Sequence, residues 1–373
     1  MMRFSTLLKN PADWMANDRE EPSVVLTSRV RLARNLANEP FPGWSRKEER
    51  VTILSRLREE VEDLPGMKGA FSQGLETLNS LQKQTLVERH LISREQAARG
   101  EGSAVVVNRK QTFSLMLNEE DHLRMQSIRP GLNLSTAFSR LSDLESELSR
   151  RVEFAFDDRL GYLTACPTNL GTGMRASAML HLPGLVLSDE VGPVLQGVAR
   201  LRLAVRGFYG EGTESLGNLF QISNQSTLGE SEEDIIARLE RVISDVEAHE
   251  LNARQRLLEK DPTMILDRVG RSYGILRHAH AMESKEALNL LSLLRLGGEL
   301  GYFEKGLRRV CDLLLMDIQP AHLQLYAGDQ LDPAPRDVLR AEIIRARLQS
   351  LAPPAITTTT LKEPDEPGKT DDE

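Results

Sequence analysis

The chain is 373 residues long, 40% hydrophobic and 27% charged, with a net charge of −8. That length suits one large domain or two moderate ones, and the composition is that of an ordinary soluble globular protein. It excludes a transmembrane span, a disulfide framework and a cysteine-built zinc site. No apolar run reaches about eighteen residues, and the two cysteines, Cys166 and Cys311, lie far apart.

The opening MMRFSTLLKNPADWM lacks the apolar core and small-residue cleavage site of a secretory signal, so a reducing cytoplasm is the expected compartment. The charge is uneven. The final stretch LKEPDEPGKTDDE carries six acids against two lysines, which leaves the rest near neutrality and without a global basic field for nucleic acid.

Residues 1–21 form an N-terminal segment ahead of the first strand-like run. PSVVLTSRVRLARNLA (22–37) combines a β-branched run with Arg29, Arg31 and Arg34. In extended backbone Arg29 and Arg31 project from one face. Val51, Leu54, Leu57, Val61 and Leu64 recur at spacings of three and four and predict a helix over 45–65. SAVVVN (103–108) and TFSLMLN (112–118) predict strands joined by a turn at Arg109-Lys110. A helix is expected over 134–150 with Ser135 as its cap. VEFAFDDRLGYLTAC then suggests a hairpin around Asp157-Asp158. GTGMRAS (171–177) reads as a glycine turn followed by the start of a helix, whose N–H groups would point outward. Residues 194–206 suit helix or strand equally. FQISNQSTLG (220–229) is strand then turn, and Glu232 to Leu258 is a long amphipathic helix capped by Ser231. Beyond Pro262 the periodicity is helical. The result is an α+β protein: an α+β domain to about residue 260, a helical domain to about 350, and a Pro-, Thr- and acid-rich tail over 351–373 expected to be disordered.

Arg29, Arg31, Arg124, Arg175 and Arg206 each lie beside an apolar strand or a tight turn. Singly, each reads as a surface or ion-paired residue. Together they suit a polyphosphate, because each guanidinium offers a planar fork of donors that keeps its charge. No GxxxxGK[ST] or GxGxxG loop occurs, so arginines would supply the electrostatic positioning that phosphoryl transfer requires. NEEDH (118–122) is either a helix N-terminus favoured by the macrodipole or the source of a working carboxylate, Glu120. Glu211, within RGFYGEGTE, is either part of a plain loop or a second carboxylate converging on a cationic substrate. Cys166 is an inert small hydrophobe or, in an electropositive setting, a thiolate. His90, in LVERHLIS, caps packing or binds adenine, ribose or phosphate. Cys311 sits on an apolar helical stripe and belongs to the core.

The run Cys166-Pro167-Thr168-Asn169-Leu170-Gly171-Thr172 matches C-P-[ST]-N-[ILV]-G-T. With TSRVR (27–31), NEEDHLR (118–124), RAS (175–177) and RGxxGE (206–211), it resembles the guanidino-phosphotransferase, or phosphagen kinase, family over about 22–255. The resemblance implies an antiparallel sheet flanked by helices in a catalytic domain over 22–258. It implies ATP as phosphoryl donor, with Mg²⁺ held mainly through phosphates and water and no metal-ligating residues in the chain. Glu120 and Glu211 would hold and deprotonate the guanidinium, and Cys166 would position it as a thiolate. The nucleotide would be bound by Thr27, Ser28, Arg29, Val30 and Arg31, by His90 and Arg124, and by Arg175, Ala176, Ser177, Ala178 and Met179. Arg206, Gly207, Phe208, Tyr209, Gly210 and Glu211 would complete that site.

VERHLIS, FQISNQSTLG and GEGTESLGN are similar to the McsB-type protein arginine kinases within that family. So is Arg336-Asp337-Val338-Leu339-Arg340-Ala341, which by spacing alone is a helix face with arginines at i and i+4. By resemblance, Arg336, Asp337, Arg340 and Ala341 form an allosteric phosphoarginine pocket in a regulatory and dimerisation domain over 259–350. TSRVR begins at residue 27, where small-molecule phosphagen kinases first carry a helical domain, so the guanidinium pocket is expected to be open to arginines on a protein chain. The implied partners are a zinc-binding activator protein, a Clp-type unfoldase–protease that degrades the marked substrates in stress regulation, and a second copy in a homodimer. Nucleic acid and membrane are not expected. The competing readings are a phosphagen kinase for free arginine and a non-catalytic phosphoarginine-binding regulator.

Overall fold

Alternation of apolar and polar side chains along short strands sets the architecture. The computed structural model describes residues 2–9, 11–12, 15, 24–207 and 216–355. The first part contains α1 (Phe4–Lys9), β1 (Val25–Arg34), α2 (Lys47–Glu62), β2 (Phe71–Gly74), α3 (Ser80–Glu88), α4 (Arg94–Ala97), β3 (Ala104–Val107), β4 (Phe113–Leu117) and β5 (Leu123–Pro130). Then come α5 (Leu134–Ser149), the short hairpin β6 (Phe156–Asp157) and β7 (Gly161–Tyr162), β8 (Met174–His181), α6 (Pro183–Leu187), α7 (Val191–Arg200), β9 (Leu203–Gly207), β10 (Leu219–Asn224) and α8 (Glu232–Lys260). The rest is helical: α9 (Pro262–His278), α10 (Ser284–Glu299), α11 (Leu307–Asp317), α12 (Pro320–Ala327) and α13 (Pro333–Arg347).

Eight strands form one sheet in the order β2-β3-β4-β5-β1-β8-β10-β9, every neighbouring pair antiparallel. Val30, Leu32, Leu115, Met125, Ala176, Ala178 and Ile222 project from one face into a core shared with Leu57 and Val61 of α2, Leu141 and Leu148 of α5, and Leu239 and Ile243 of α8. Each large aliphatic side chain buried there contributes about 1.5–3 kcal/mol. On the opposite face, Val105, Val107 and Met116 pack with Leu7 of α1 and Leu86 of α3 at the β2–β4 end. The C-terminal helices cover the other end, where their core takes in Leu219 of β10 and packs against Leu26 and Met179. Between these two covers the middle of the sheet stays open.

Several local expectations change in three dimensions. α5 starts at Leu134 behind Asn133, so Ser135 is not its cap; its N and Oγ donate to Glu240 of α8 at 2.9 and 2.9 Å and tie the two helices together. Val51 lies outside the buried stripe of α2 and is exposed. Residues 194–206 contain both predicted states, α7 ending at Arg200 and β9 starting at Leu203. GTGMRAS leads into strand β8 rather than a helix, because Arg175 to Ser177 pair with Arg31 to Arg29 of β1. The NEEDH run is the β4–β5 hairpin turn and not a helix N-terminus: Asn118 has φ 53°, and its N–H donates to the His122 carbonyl at 2.9 Å. The Ser231 cap of α8, bonded to Asp234 N, and the burial of Cys311 follow the sequence expectation.

A buried ionic network joins the sheet to the C-terminal helices. Arg254 donates to Glu250 and Glu299, both at 2.6 Å, while Arg295 reaches Glu299 and Asp312, both at 2.8 Å. His181, at the end of β8, contacts Arg295 Nη1 at 3.0 Å and Ser292 Oγ at 2.7 Å. Burial, then Arg295 and Arg254, hold its pKa well below the ordinary value, so its ring is neutral. Glu299 faces two guanidinium groups and is almost wholly buried. Removing its charge leaves Arg254 with Glu250 and Arg295 with Asp312 but breaks the link between the two pairs, so Glu299→Gln should lower unfolding free energy by about 1.5–3 kcal/mol in denaturant titration; an unchanged midpoint would show that the network does not hold the two parts together.

Candidate active site

The open middle of the sheet is cationic because of register. In antiparallel pairs, directly opposed residues share a face. Arg29 on β1 lies opposite Ile128 of β5 and Ser177 of β8, and Arg31 lies opposite Gln126 and Arg175. Arg124 faces Ala33, and Arg206 on edge strand β9 faces Gln221 of β10. All five predicted arginines therefore stand on one face, although their strands are far apart in sequence.

Like charges placed opposite one another are destabilising, and the electrostatics show it. Burial, then Arg124 and Arg175, lower the Arg29 pKa to about 10. Arg31 is driven well below its ordinary value by burial and by Arg29, Arg124 and Arg175. Burial, Arg206 and Arg124 also lower Arg175, whereas Cys166 acts to raise it. The buried Arg31 Nε has no hydrogen-bond partner among the described residues. Arg124 is the exception: burial lowers its pKa, but Glu119, at 2.7 Å, outweighs that and raises it. A face that concentrates cations and leaves a buried donor unsatisfied is built for a multivalent anion.

Arg29, Arg31, Arg124 and Arg206 line a cavity of about 470 Å³ together with Thr27, His90, Ser177, Met179 and Gln221. That volume falls in the range of small-molecule and cofactor pockets. Arg29 Nη2 donates to Gln221 Oε1 at 3.2 Å. Gln126, opposite Arg31, donates to the His90 carbonyl at 2.6 Å and holds that residue at φ 57°. Burial, then Arg29, bring the His90 pKa down to about 3, so the cavity meets a neutral imidazole. Strand alternation narrows the expected nucleotide contacts. Ser28, Val30, Ala176 and Ala178 are buried on the helical face, and Ser28 Oγ is spent on the Gly131 carbonyl at 2.8 Å. Gly207 closes β9 opposite Phe220. Phe208, Tyr209, Gly210 and Glu211 lie outside the described residues.

Glu120 lies within the field of Arg124, and Cys166 within that of Arg175. Asp121, beside Glu120 in the hairpin turn, accepts from Ala165 N at 2.7 Å and from Asn35 Nδ2 at 2.6 Å. These bonds bring the turn to the residue preceding Cys166. Partial burial, then the Asp121 charge, raise the Glu120 pKa, against the pull of Arg124. Glu119 accepts from Ser93 Oγ and pairs with Arg124. Cys166 Sγ lies 3.0 Å from Thr168 Oγ1. The CPTNLGT segment is pinned by Thr227 Oγ1, which meets the Thr168 and Leu170 carbonyls at 3.0 and 2.6 Å. Gly171, at φ 105°, passes so close to Thr227 that a Cβ would collide with its carbonyl. Asn35, Glu119, Asp121, Gln126 and Gln221 are the supporting residues that sequence reasoning missed. Only Glu119 and Asp121 carried a signal, as neighbours within NEEDH.

In α13, Arg340 is buried and donates to the Met282 and Ile318 carbonyls at 2.7 and 3.2 Å and to Asp337 at 2.5 Å. Ala341 is packed in the helical core. Arg336 is half-buried, with its Nε unpartnered among the described residues.

The description "ATP:guanido phosphotransferase, C-terminal catalytic domain" matches residues 52–253, and "Protein-arginine kinase McsB C-terminal domain" matches residues 262–359. A protein from Halothermothrix orenii named protein-arginine kinase is 43% identical over 340 residues, covering 91% of this chain and 97% of the relative. One of the same name from Geobacillus stearothermophilus is 44% identical over 338 residues, covering 90% and 93%. The chain belongs to the protein-arginine kinase family of ATP:guanido phosphotransferases. Its fold is shared with a lombricine kinase, at TM-score 0.56 and 24% identity over 67% of this chain and 72% of that one. The duplicated taurocyamine kinase of Schistosoma mansoni gives TM-score 0.57 and 24% identity over 75% of this chain and 41% of that one.

The cation face implies opposite effects on stability and binding. Arg31→Met keeps the aliphatic stem and removes a charge opposed by Arg175. Without nucleotide it should stabilise the protein by about 1–2 kcal/mol, while nucleotide affinity falls about tenfold or more. Thermal unfolding and nucleotide titration check both signs, and a destabilised variant would contradict the repulsion.

Proposed function

We propose that this chain transfers the γ-phosphoryl group of ATP to arginine side chains of proteins. The observation that carries the proposal is the five-arginine face, whose Arg124 feels the Glu120 carboxylate and whose Arg175 feels Cys166. Family membership supports the reaction class, and the protein-arginine kinase name of relatives that match about nine-tenths of the chain supports a protein acceptor.

An arginine guanidinium is protonated at neutral pH and must lose a proton as its nitrogen attacks phosphorus. Glu120, with its raised pKa, is suited to hold the guanidinium fork and take that proton. Glu211 is the second carboxylate of this scheme. Cys166, close enough to Arg175 to favour its charge, places the cationic acceptor without a covalent intermediate. Arg29, Arg31, Arg124, Arg175 and Arg206 hold the phosphates and stabilise charge developing during transfer. Mg²⁺ would be carried on the phosphates and water. When bound there, Mg²⁺ neutralises phosphate charge.

The same proposal divides the chain into a catalytic domain over 22–258 and a regulatory and dimerisation domain over 259–350. In the latter, Arg336, Asp337, Arg340 and Ala341 read phosphoarginine. A zinc-binding activator, a Clp-type unfoldase–protease and a second copy are its partners. No helix among the described residues is long and apolar enough to cross a membrane, and a cytoplasmic location completes the picture.

Incubation with ATP·Mg²⁺ and a mixed protein pool, or with free arginine, tests the reaction. Acid-labile phosphate should appear on protein arginines. Turnover should fall about 100-fold or more in Glu120→Gln while ATP binding persists. Turnover of free arginine alone would assign the chain to small-molecule phosphorylation instead.

A pH profile tests the base separately. The reactive form of Glu120 is the carboxylate, so a raised pKa moves the acid limb of kcat/KM upward. Asp121→Asn keeps an acceptor for Asn35 and Ala165 but removes the charge that raises Glu120. The acid limb should shift to lower pH; an unmoved limb would mean that another group sets it.

A further inference from the structure

The arginine face accounts for only the anionic half of a nucleotide. Thr27 and Arg31 lie four residues apart on β1, about 13 Å at strand spacing, and the cavity runs along this length. At the Arg31 end its walls carry the guanidinium groups of Arg31 and Arg124, with Glu95 beside Arg124. At the Thr27 end they are apolar: Leu26, Ile128, Met179 and Leu219 from the sheet, and Leu315 and Met316 from α11. Register fixes how close these ends are. Ile128 is directly opposite Arg29, and Met179 is directly opposite Thr27. Met316 clusters with Ile128, while Leu315 belongs to the core against which Leu26 and Met179 pack. The apolar surface therefore starts level with Arg29 and runs past it, with Arg206 in the same register as Met179 and Thr27 at its β9 edge, and it has the sheet on one side and the C-terminal region on the other. Asp312 and Gln319 add polar groups from the same helical region, and Asp312 is held by Arg295 Nε at 2.8 Å.

We infer that α11 forms the second wall of the nucleoside subsite. This inference rests on the nucleotide reading of the arginine face. A triphosphate anchored on Arg29, Arg31, Arg124 and Arg206 directs its nucleoside toward the apolar end. There Leu315 and Met316 offer the base an apolar surface opposite Met179 and Ile128, and Asp312 stands within the same cavity for a ribose hydroxyl or a base edge. ATP affinity then depends on the C-terminal region being docked on the sheet. By thermodynamic reciprocity, nucleotide binding strengthens that docking.

The full-length protein, titrated calorimetrically with ATP and separately with inorganic tripolyphosphate, tests this. Tripolyphosphate carries the anion without the nucleoside. Leu315→Trp, which fills the apolar end, should weaken ATP about tenfold or more and leave tripolyphosphate within about twofold. Met316→Ala, a milder change, should weaken ATP about threefold with tripolyphosphate again unaffected. Unchanged ATP affinity in both variants, or parallel loss of both ligands, would overturn the inference. Failure of the unaltered protein to bind either ligand would overturn the nucleotide reading itself, and this inference with it.

Discussion

Mutual repulsion among arginines on one sheet face is the constraint around which the molecule is arranged. Arg31 and Arg175 oppose one another directly across β1 and β8, and Arg29 and Arg124 add to the same field. Among the described residues, Glu119 outweighs burial at Arg124 and offsets it only in part at Arg31. Folding has to carry this unfavourable arrangement on apolar packing elsewhere, chiefly on the opposite face of the same strands. The chemical return is an anion site whose donors are already in place, so little reorganisation is needed when phosphate charge arrives.

The covers on either side of that face turn a charged surface into a cavity. α1 and α3 close the β2–β4 end, and the C-terminal helices close the other through an apolar core and a buried ionic network. Arg295 and Asp312 belong to that network and also line the cavity. The residues that attach the helical region to the sheet thus line the same cavity as the arginines.

Much of the site was legible from local pattern. Arg29 and Arg31 stand two apart in a strand, and the CPTNLGT, NEEDH and RGxxGE segments carried a family resemblance that the comparisons bear out. What pattern misjudged was backbone state. The glycines of GTGMRAS suggested a helix start, yet pairing with β1 made the segment a strand and put Arg175 opposite Arg31. The acids of NEEDH suggested a helix N-terminus, yet Asn118 adopts a left-handed conformation and closes a hairpin. The resemblance implied nucleotide contacts along whole segments, and strand alternation places the side chains of Ser28, Val30, Ala176 and Ala178 in the core.

The sequence by itself determined the fold class, the cationic residues and the chemistry they imply, because strand period, cap residues and charged side chains act over a few positions. Only the tertiary structure decided which of those residues face one another. The meeting of Arg31 with Arg175 is a matter of register, and the tie between Asp121 and Ala165 spans residues with no local relation. The placement of Leu315 and Met316 over the far end of the cavity depends on packing between regions distant in sequence. Register and packing follow from burying whole faces at once, and no short stretch of sequence contains both sides of such a contact.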